Sequence, residues 1–150
     1  MTTEPEFLFD TPEDAGMAGF PPTYCRVVAS RSHGEDAYVL LDTGPPGQPY
    51  LYGINCSRHD GRWRGDSSGN GPGWSTVDPD ARLGTLVVWD LAPAGADAMR
   101  FEFEGTITEV PVTDVAYLAA WWRVPRPEFA WPTIADVRVG GRWTRETRSD

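Results

Sequence analysis

A chain of 150 residues, with 40% hydrophobic residues and seven tryptophans, is long enough for one folded domain, and its large side chains exclude an intrinsically disordered protein. The 22 acidic and 13 basic residues give a net charge of −9, which repels phosphate backbones and argues against a nucleic-acid partner. Because no segment approaches the roughly 20 apolar residues of a membrane helix, and the acidic N-terminus lacks the pattern of a secretory signal, we expect a cytoplasmic protein with no membrane partner.

Residues 1–23 are predicted to form an N-terminal tail with one short helix. Thr11 can cap the helix, Pro12 suits its first position, and Asp14 lies three residues after the cap. Four apolar side chains are available to dock this segment on the body of the protein: Phe7, Phe9, Met17 and Phe20.

Strand patterns begin at residue 24. The segments 24–30, 34–43 and 50–57 are predicted strands, and the third places Tyr50, Tyr52, Ile54 and Cys56 on one face. Asp60-Gly61 is then a favoured two-residue hairpin turn, and the chain returns in a strand that starts at residue 62.

The polar segment Gly65–Arg82 carries no obvious element and is predicted to be a long loop. Its first five residues, Gly-Asp-Ser-Ser-Gly, resemble the segment around the nucleophile of trypsin-like serine proteases, which implies His33 or His59 as the base. Ser68 stands where that family has glycine, and only 64 residues precede the motif, although such proteases need two barrels. A Ser/Gly loop is therefore the better interpretation.

Strands resume in the second half, at residues 84–90, 97–104, 106–113, 134–139 and 142–145. In the second of these, Met99, Phe101 and Phe103 share one face, which is the alternation of a sheet with one solvated side. Pro111 indicates an edge strand, because proline cannot donate a ladder hydrogen bond. Residues 115–124 are apolar on both faces, so they are either a central or covered strand or a short amphipathic helix.

These patterns predict a mainly β fold of about nine strands with a short N-terminal helix. It is either an antiparallel β-sandwich, immunoglobulin-like in the second half, or a partly open barrel. Residues 24–150 are expected to form a single β domain, with a possible subdivision near the 65–83 loop.

The cysteines and acids give no metal or cofactor signature. Cys25 and Cys56 lack zinc-site spacing and are expected to be free and buried, with a disulfide between them as the alternative. Asp66, Asn70, Asp78 and Asp80 could offer oxygen ligands to calcium, but their spacing fits no EF-hand loop. We therefore predict no metal and no cofactor.

Aromatic residues near turns are the strongest functional signal. Tryptophan and arginine dominate interface hot spots, and aromatic faces also stack on sugars, so the predicted binding residues are Trp63, Trp74, Trp131, Arg64, Asp66 and Asn70. The first hypothesis is a module that binds a protein partner through an aromatic and arginine surface. The alternatives are a small-ligand or carbohydrate-binding domain that uses residues 65–82, and an unrecognised hydrolase. The lack of a catalytic signature favours a non-enzymatic role, and the oligomeric state stays open.

Overall fold

The computed structural model describes residues 8–69, 73–76, 82–128 and 130–145, with the backbone alone for 67–69. The chain divides into two compact units, Met1–Gly71 and Pro72–Asp150, and their boundary lies within residues 65–83. The described part of the first unit contains α1 (Pro12–Met17), β1 (Arg26–His33), β2 (Asp36–Asp42), β3 (Leu51–His59) and β4 (Arg62–Gly69). The described part of the second contains β5 (Gly73–Ser75), β6 (Leu83–Leu91), β7 (Ala96–Phe103), β8 (Thr106–Thr113), β9 (Ala116–Pro125), β10 (Thr133–Val139) and β11 (Arg142–Arg145).

The predicted mainly β, antiparallel fold with a short N-terminal helix is confirmed. The described strands form two sheets, one of four strands in the first unit and one of seven in the second. None of the helices in the described part of the chain is long and apolar enough to cross a membrane.

The helix α1 begins as the sequence predicts. The Thr11 hydroxyl accepts a hydrogen bond of 3.1 Å from the backbone N–H of Asp14, and Pro12 is the first helical residue. Gly16 lies directly on β2: a Cβ at this position would stand 2.9 Å from the Cβ of Val39. The close approach of the helix to the sheet therefore depends on a glycine here.

The first unit has the strand order β1-β2-β3-β4, and α1 covers one face of this sheet. The hairpin between β3 and β4 turns through Asp60 and Gly61, both with positive φ (51° and 80°), as the sequence predicts. One core cluster of this unit comprises Ala15, Ala37, Val39, Leu41, Ile54, Cys56 and Trp63. Phe9, Met17 and Phe20 pack against it, which confirms their predicted docking role, and Phe7 lies outside the described residues.

A buried carboxylate organises the connection from β2 to β3. Asp42 accepts hydrogen bonds from the backbone N–H groups of Gly44 (2.9 Å) and Tyr50 (3.0 Å), and Arg26 lies 3.3 Å from its other oxygen. Burial acts to raise the pKa of Asp42, but these bonds and the arginine charge outweigh it and lower the pKa.

The prediction of a single loop over Gly65–Arg82 is wrong. β4 continues to Gly69 in register with β3, and residues 73–75 form β5. Gly65 pairs with Cys56, and α1 passes close to it, with the Ala15 carbonyl oxygen 3.2 Å from where a Cβ would stand. Asp66 is the extra residue of a β-bulge, since its neighbours pair with consecutive residues of β3.

The second unit has the strand order β11-β10-β7-β8-β9-β6-β5. β8 pairs with β7 over its first six residues but with β9 only through Val112 and Thr113. The ring of Phe101 on β7 lies 5.3 Å from that of Tyr117 and 6.1 Å from that of Trp121, both on β9. The sheet is thus folded over, and β7 and β9 face each other across a core, as in a sandwich.

Two predictions about individual strands are settled by these pairings. Residues 116–125 form a strand between β8 and β6, so the central-strand interpretation is right and the helix is wrong. α1 packs on β1–β4, in the first unit. β8 has a neighbour on each side in the sheet order, so it is not an edge strand, but Pro111 itself pairs only with Ala98 of β7.

Cys25 and Cys56 are both free and buried, so the alternative of a disulfide is wrong.

Candidate functional site

One end of the second unit combines exposed apolar side chains with a pocket. Because the strands run antiparallel, the β7–β8 turn, the start of β6 and the segment that follows β9 all lie at this end, which we call the Trp131 end. Leu83, Ile107 and Trp131 expose 49%, 52% and 44% of their surface there. Leu83 opens β6 opposite Pro125, the last residue of β9.

The pocket at the Trp131 end has a volume of about 460 Å³. Its described lining is Glu104, Pro125, Arg126, Pro127, Glu128 and Ala130. Glu104 is the first residue of the β7–β8 turn, where its positive φ of 51° and the following Gly105 place it at the tip of the hairpin. Among the described residues, none of the three charged side chains in this lining has an ion pair or a hydrogen bond.

Trp74 lies at the same end but is held in place. Its indole N–H donates a hydrogen bond of 2.9 Å to the carbonyl of Val124, next to the pocket. The ring lies against Gly84, where a Cβ would stand 2.7 Å from the indole carbons. Trp74 is therefore a half-buried anchor of β5, and its polar group is already used.

Trp63, Arg64 and Asp66 lie together on β4, in the first unit. Trp63 is only 8% exposed and belongs to the core, with the Arg58 guanidinium 5.8 Å from its ring centre. Arg64 forms an ion pair of 3.0 Å with Asp66. Because the Trp63 ring is buried, a ligand cannot stack on it, although Trp63 lies beside a turn in the sequence.

Asn70 lies outside the described residues. The predicted binding residues therefore fall into two groups in the structure. Trp74 and Trp131 lie at the Trp131 end, whereas Trp63, Arg64 and Asp66 lie on β4.

No family model, no curated protein and no solved structure matches this chain.

Besides the Trp63–Arg58 pair, a second cluster of tryptophan and arginine lies on the outer face of β7, β10 and β11. The Arg100 guanidinium lies 3.7 Å from the ring centre of Trp143, and that of Arg138 lies 5.4 Å from it. Arg138 also pairs with Asp97, and Arg100 lies 3.9 Å from Asp136. These cations are compensated by neighbouring acids on the same sheet, so the cluster joins strands and leaves little charge for a partner.

A serine–histidine contact is present within the described part of the first unit. The Ser57 hydroxyl lies 2.9 Å from Nε2 of His59, but Ser57 is buried, and no acid among the described residues hydrogen-bonds to His59. A hydrolytic triad needs an acid that orients the histidine and an accessible nucleophile. The contact therefore does not form a triad. Within the described part of the chain, no group of three or more His, Cys, Asp or Glu side chains could hold a metal ion.

Cys56 is unreactive as a nucleophile in the folded protein. Burial, followed by the negative charges of Asp66 and Glu13, raises the pKa of its thiol to about 12. Since the thiolate is the reactive form, the thiol is protonated and inert near neutral pH.

The sequence did not predict the pocket. Its described lining joins Glu104 of a hairpin turn to residues 125–128 and Ala130, about twenty residues later, and neither part carries a catalytic or ligand motif. The available signal was the proline pair in Pro125-Arg126-Pro127 at the end of β9, four residues before the exposed Trp131.

Proposed function

We propose that this protein is an interaction module that binds a protein partner at the Trp131 end of its second unit. The observation that carries the proposal is the exposure of Trp131 with Leu83 and Ile107, at the strand end that also bears the pocket. Tryptophan is among the residues that contribute most to binding energy, because it contacts a large area with few rotatable bonds.

The charges of the molecule also support a binding role. The pocket holds Glu104, Arg126 and Glu128 without ion pairs among the described residues, whereas Arg100 and Arg138 on the same unit are paired with acids. At an interface, apolar contacts supply affinity and charged groups supply specificity. The net charge of −9 favours a basic partner.

The test is a selection from a displayed random-peptide library on the immobilised full chain. Three proteins are compared: the wild type, a Trp131→Ala/Ile107→Ser variant, and a Leu91→Ser/Val139→Ser control. Leu91 and Val139 are 43% and 44% exposed at the opposite strand ends, so the control removes similar apolar surface elsewhere.

The wild type and the control should enrich the same consensus peptide. The Trp131-end variant should bind that peptide about 30-fold more weakly, because loss of a tryptophan hot spot costs about 2 kcal/mol. Circular dichroism checks that the variants fold. The proposal fails if the wild type enriches no consensus, or if both variants bind the selected peptide equally.

A further inference from the structure

We infer that the pocket at the Trp131 end receives a cationic side chain, arginine or lysine, from the partner. The inference rests on the proposed function and names the chemistry that the pocket recognises. Glu104 and Glu128 give the described lining two negative charges against the single positive charge of Arg126. The pocket therefore favours a cation, as does the excess of 22 acidic over 13 basic residues in the whole chain.

The two carboxylates are available for such a ligand. On the outer face of the same unit, Asp97 and Asp136 are taken up by arginines. Glu104 and Glu128, in contrast, have no ion pair or hydrogen bond among the described residues. An ionised carboxylate only accepts hydrogen bonds, and its strongest partner is a charged N–H donor. A guanidinium or ammonium group bound in the pocket would offer either carboxylate such a donor.

The apolar part of the lining fits the stem of the same side chain. Pro125, Pro127 and Ala130 present carbon surface, and the two prolines have no backbone N–H to donate. Long cationic side chains bury their methylene groups on apolar surface while the charged head meets polar groups. The carbon walls and the two carboxylates, one at the hairpin tip and one in the segment after β9, together suit an arginine or lysine side chain.

The direct test uses three small probes whose side chains differ in charge. N-acetyl-arginine methylamide is the cation, N-acetyl-citrulline methylamide is its neutral isostere, and N-acetyl-glutamate methylamide is the anion. Each is titrated into the full ¹⁵N-labelled chain, and the backbone amide shifts are followed. The arginine probe should shift the signals of Glu104, Arg126 and Glu128, and the other two should not.

Two variants locate the effect. The double variant Glu104→Gln/Glu128→Gln should bind the arginine probe about fivefold to 30-fold more weakly, since each exposed charge pair contributes up to about 1 kcal/mol. Glu102→Gln is the matched control, because Glu102 is an exposed carboxylate on β7 that does not line the pocket. The control should bind the probe as the wild type does.

Three results would overturn the inference: equal shifts with citrulline, stronger binding of the glutamate probe through Arg126, or no shift with any probe. The failure of the inference is separable from that of the proposed function. If a consensus peptide is selected but replacing its arginine and lysine residues does not weaken binding, the interaction site stands and the cationic occupant does not. If the arginine probe binds but no peptide is selected, the pocket stands and the interaction module does not.

Discussion

Replacing Gly16 with valine tests whether α1 seals the thiol of Cys56. A Cβ at position 16 would stand 2.9 Å from the Cβ and Cγ1 of Val39, which is completely buried and cannot move aside. Overpacking of this kind costs about 1–3 kcal/mol. The better helix propensity of valine over glycine offsets only a few tenths of that. We therefore expect α1 to leave the sheet more often in the variant.

The thiol reports this opening. Its Sγ lies 3.8 Å from the carbonyl oxygen of Pro12 in α1, and burial with the charges of Asp66 and Glu13 raises its pKa to about 12. Reaction at pH 8 then requires an opened form, and its rate follows the population of that form. A loss of about 1–3 kcal/mol should accelerate the reaction about fivefold to 150-fold.

The assay is the reaction with Ellman's reagent under native conditions, in a Cys25→Ala background so that Cys56 alone reports. Gly19→Val is the matched control, because a Cβ there would meet no atom within 4 Å, and it should react at the wild-type rate. The reasoning is refuted if Gly16→Val also reacts at the wild-type rate. If the wild-type rate corresponds to an opening free energy equal to the global free energy of unfolding, α1 does not open on its own.

Four further substitutions test the packing. Asp42→Asn should lower the free energy of unfolding by about 1–2 kcal/mol at neutral pH, because a charge-assisted acceptor is lost. Because the folded-state pKa of Asp42 is lowered, its contribution to the free energy of unfolding is complete above about pH 4. That contribution is lost as the pH falls through the folded-state pKa, so the unfolding free energies of the wild type and Asp42→Asn, measured by urea titration, should converge in acid. Gly53→Ala should cost about 1–3 kcal/mol, measured by urea unfolding, because its Cβ would lie 2.5 Å from Cζ of the buried Tyr38. Trp63→Ala should lower the free energy of unfolding by about 3–5 kcal/mol in the same measurement. Trp143→Ala should lower it by less than half of this, because only Trp63 is buried in a core. Equal losses would contradict the assigned burial.

Features encoded within a few residues could be predicted from the sequence. The Thr11 cap, the Asp60-Gly61 turn and the alternation of Met99, Phe101 and Phe103 all appear in the structure as expected. Each depends on a local requirement: an acceptor for a free N–H, a backbone that tolerates positive φ, or a period of two along a half-buried strand.

The second half of β4 could not be predicted in this way. Residues 65–69 are Gly, Asp, Ser, Ser and Gly, which are typical of a loop, yet all except the bulge residue Asp66 pair with β3. The strand exists because β3 offers a ladder to pair with. Tertiary contacts thus override weak strand propensity.

The candidate site was only partly predictable for a related reason. Trp131 was identified from its residue type and its position outside the strands, and it is exposed. The pocket beside it depends on the β7–β8 turn and the segment after β9 meeting at one end of a folded sheet. That meeting follows from strand order, which composition and periodicity do not determine.

Two hairpins of the chain carry the same sequence, Gly-Arg-Trp, at residues 61–63 and 141–143. In both, an arginine lies opposite the tryptophan across the strand pair, Arg58 with Trp63 and Arg138 with Trp143, so the same six-residue pattern gives the same cross-strand contact. Their burial differs because Phe9 exchanges two backbone hydrogen bonds with Trp63 along the free edge of β4, and the core of the first unit encloses the ring. Whether such a tryptophan can bind a partner is therefore decided by what covers its strand. Trp131 lies outside the strands, and for that reason it is the tryptophan on which we base the binding proposal.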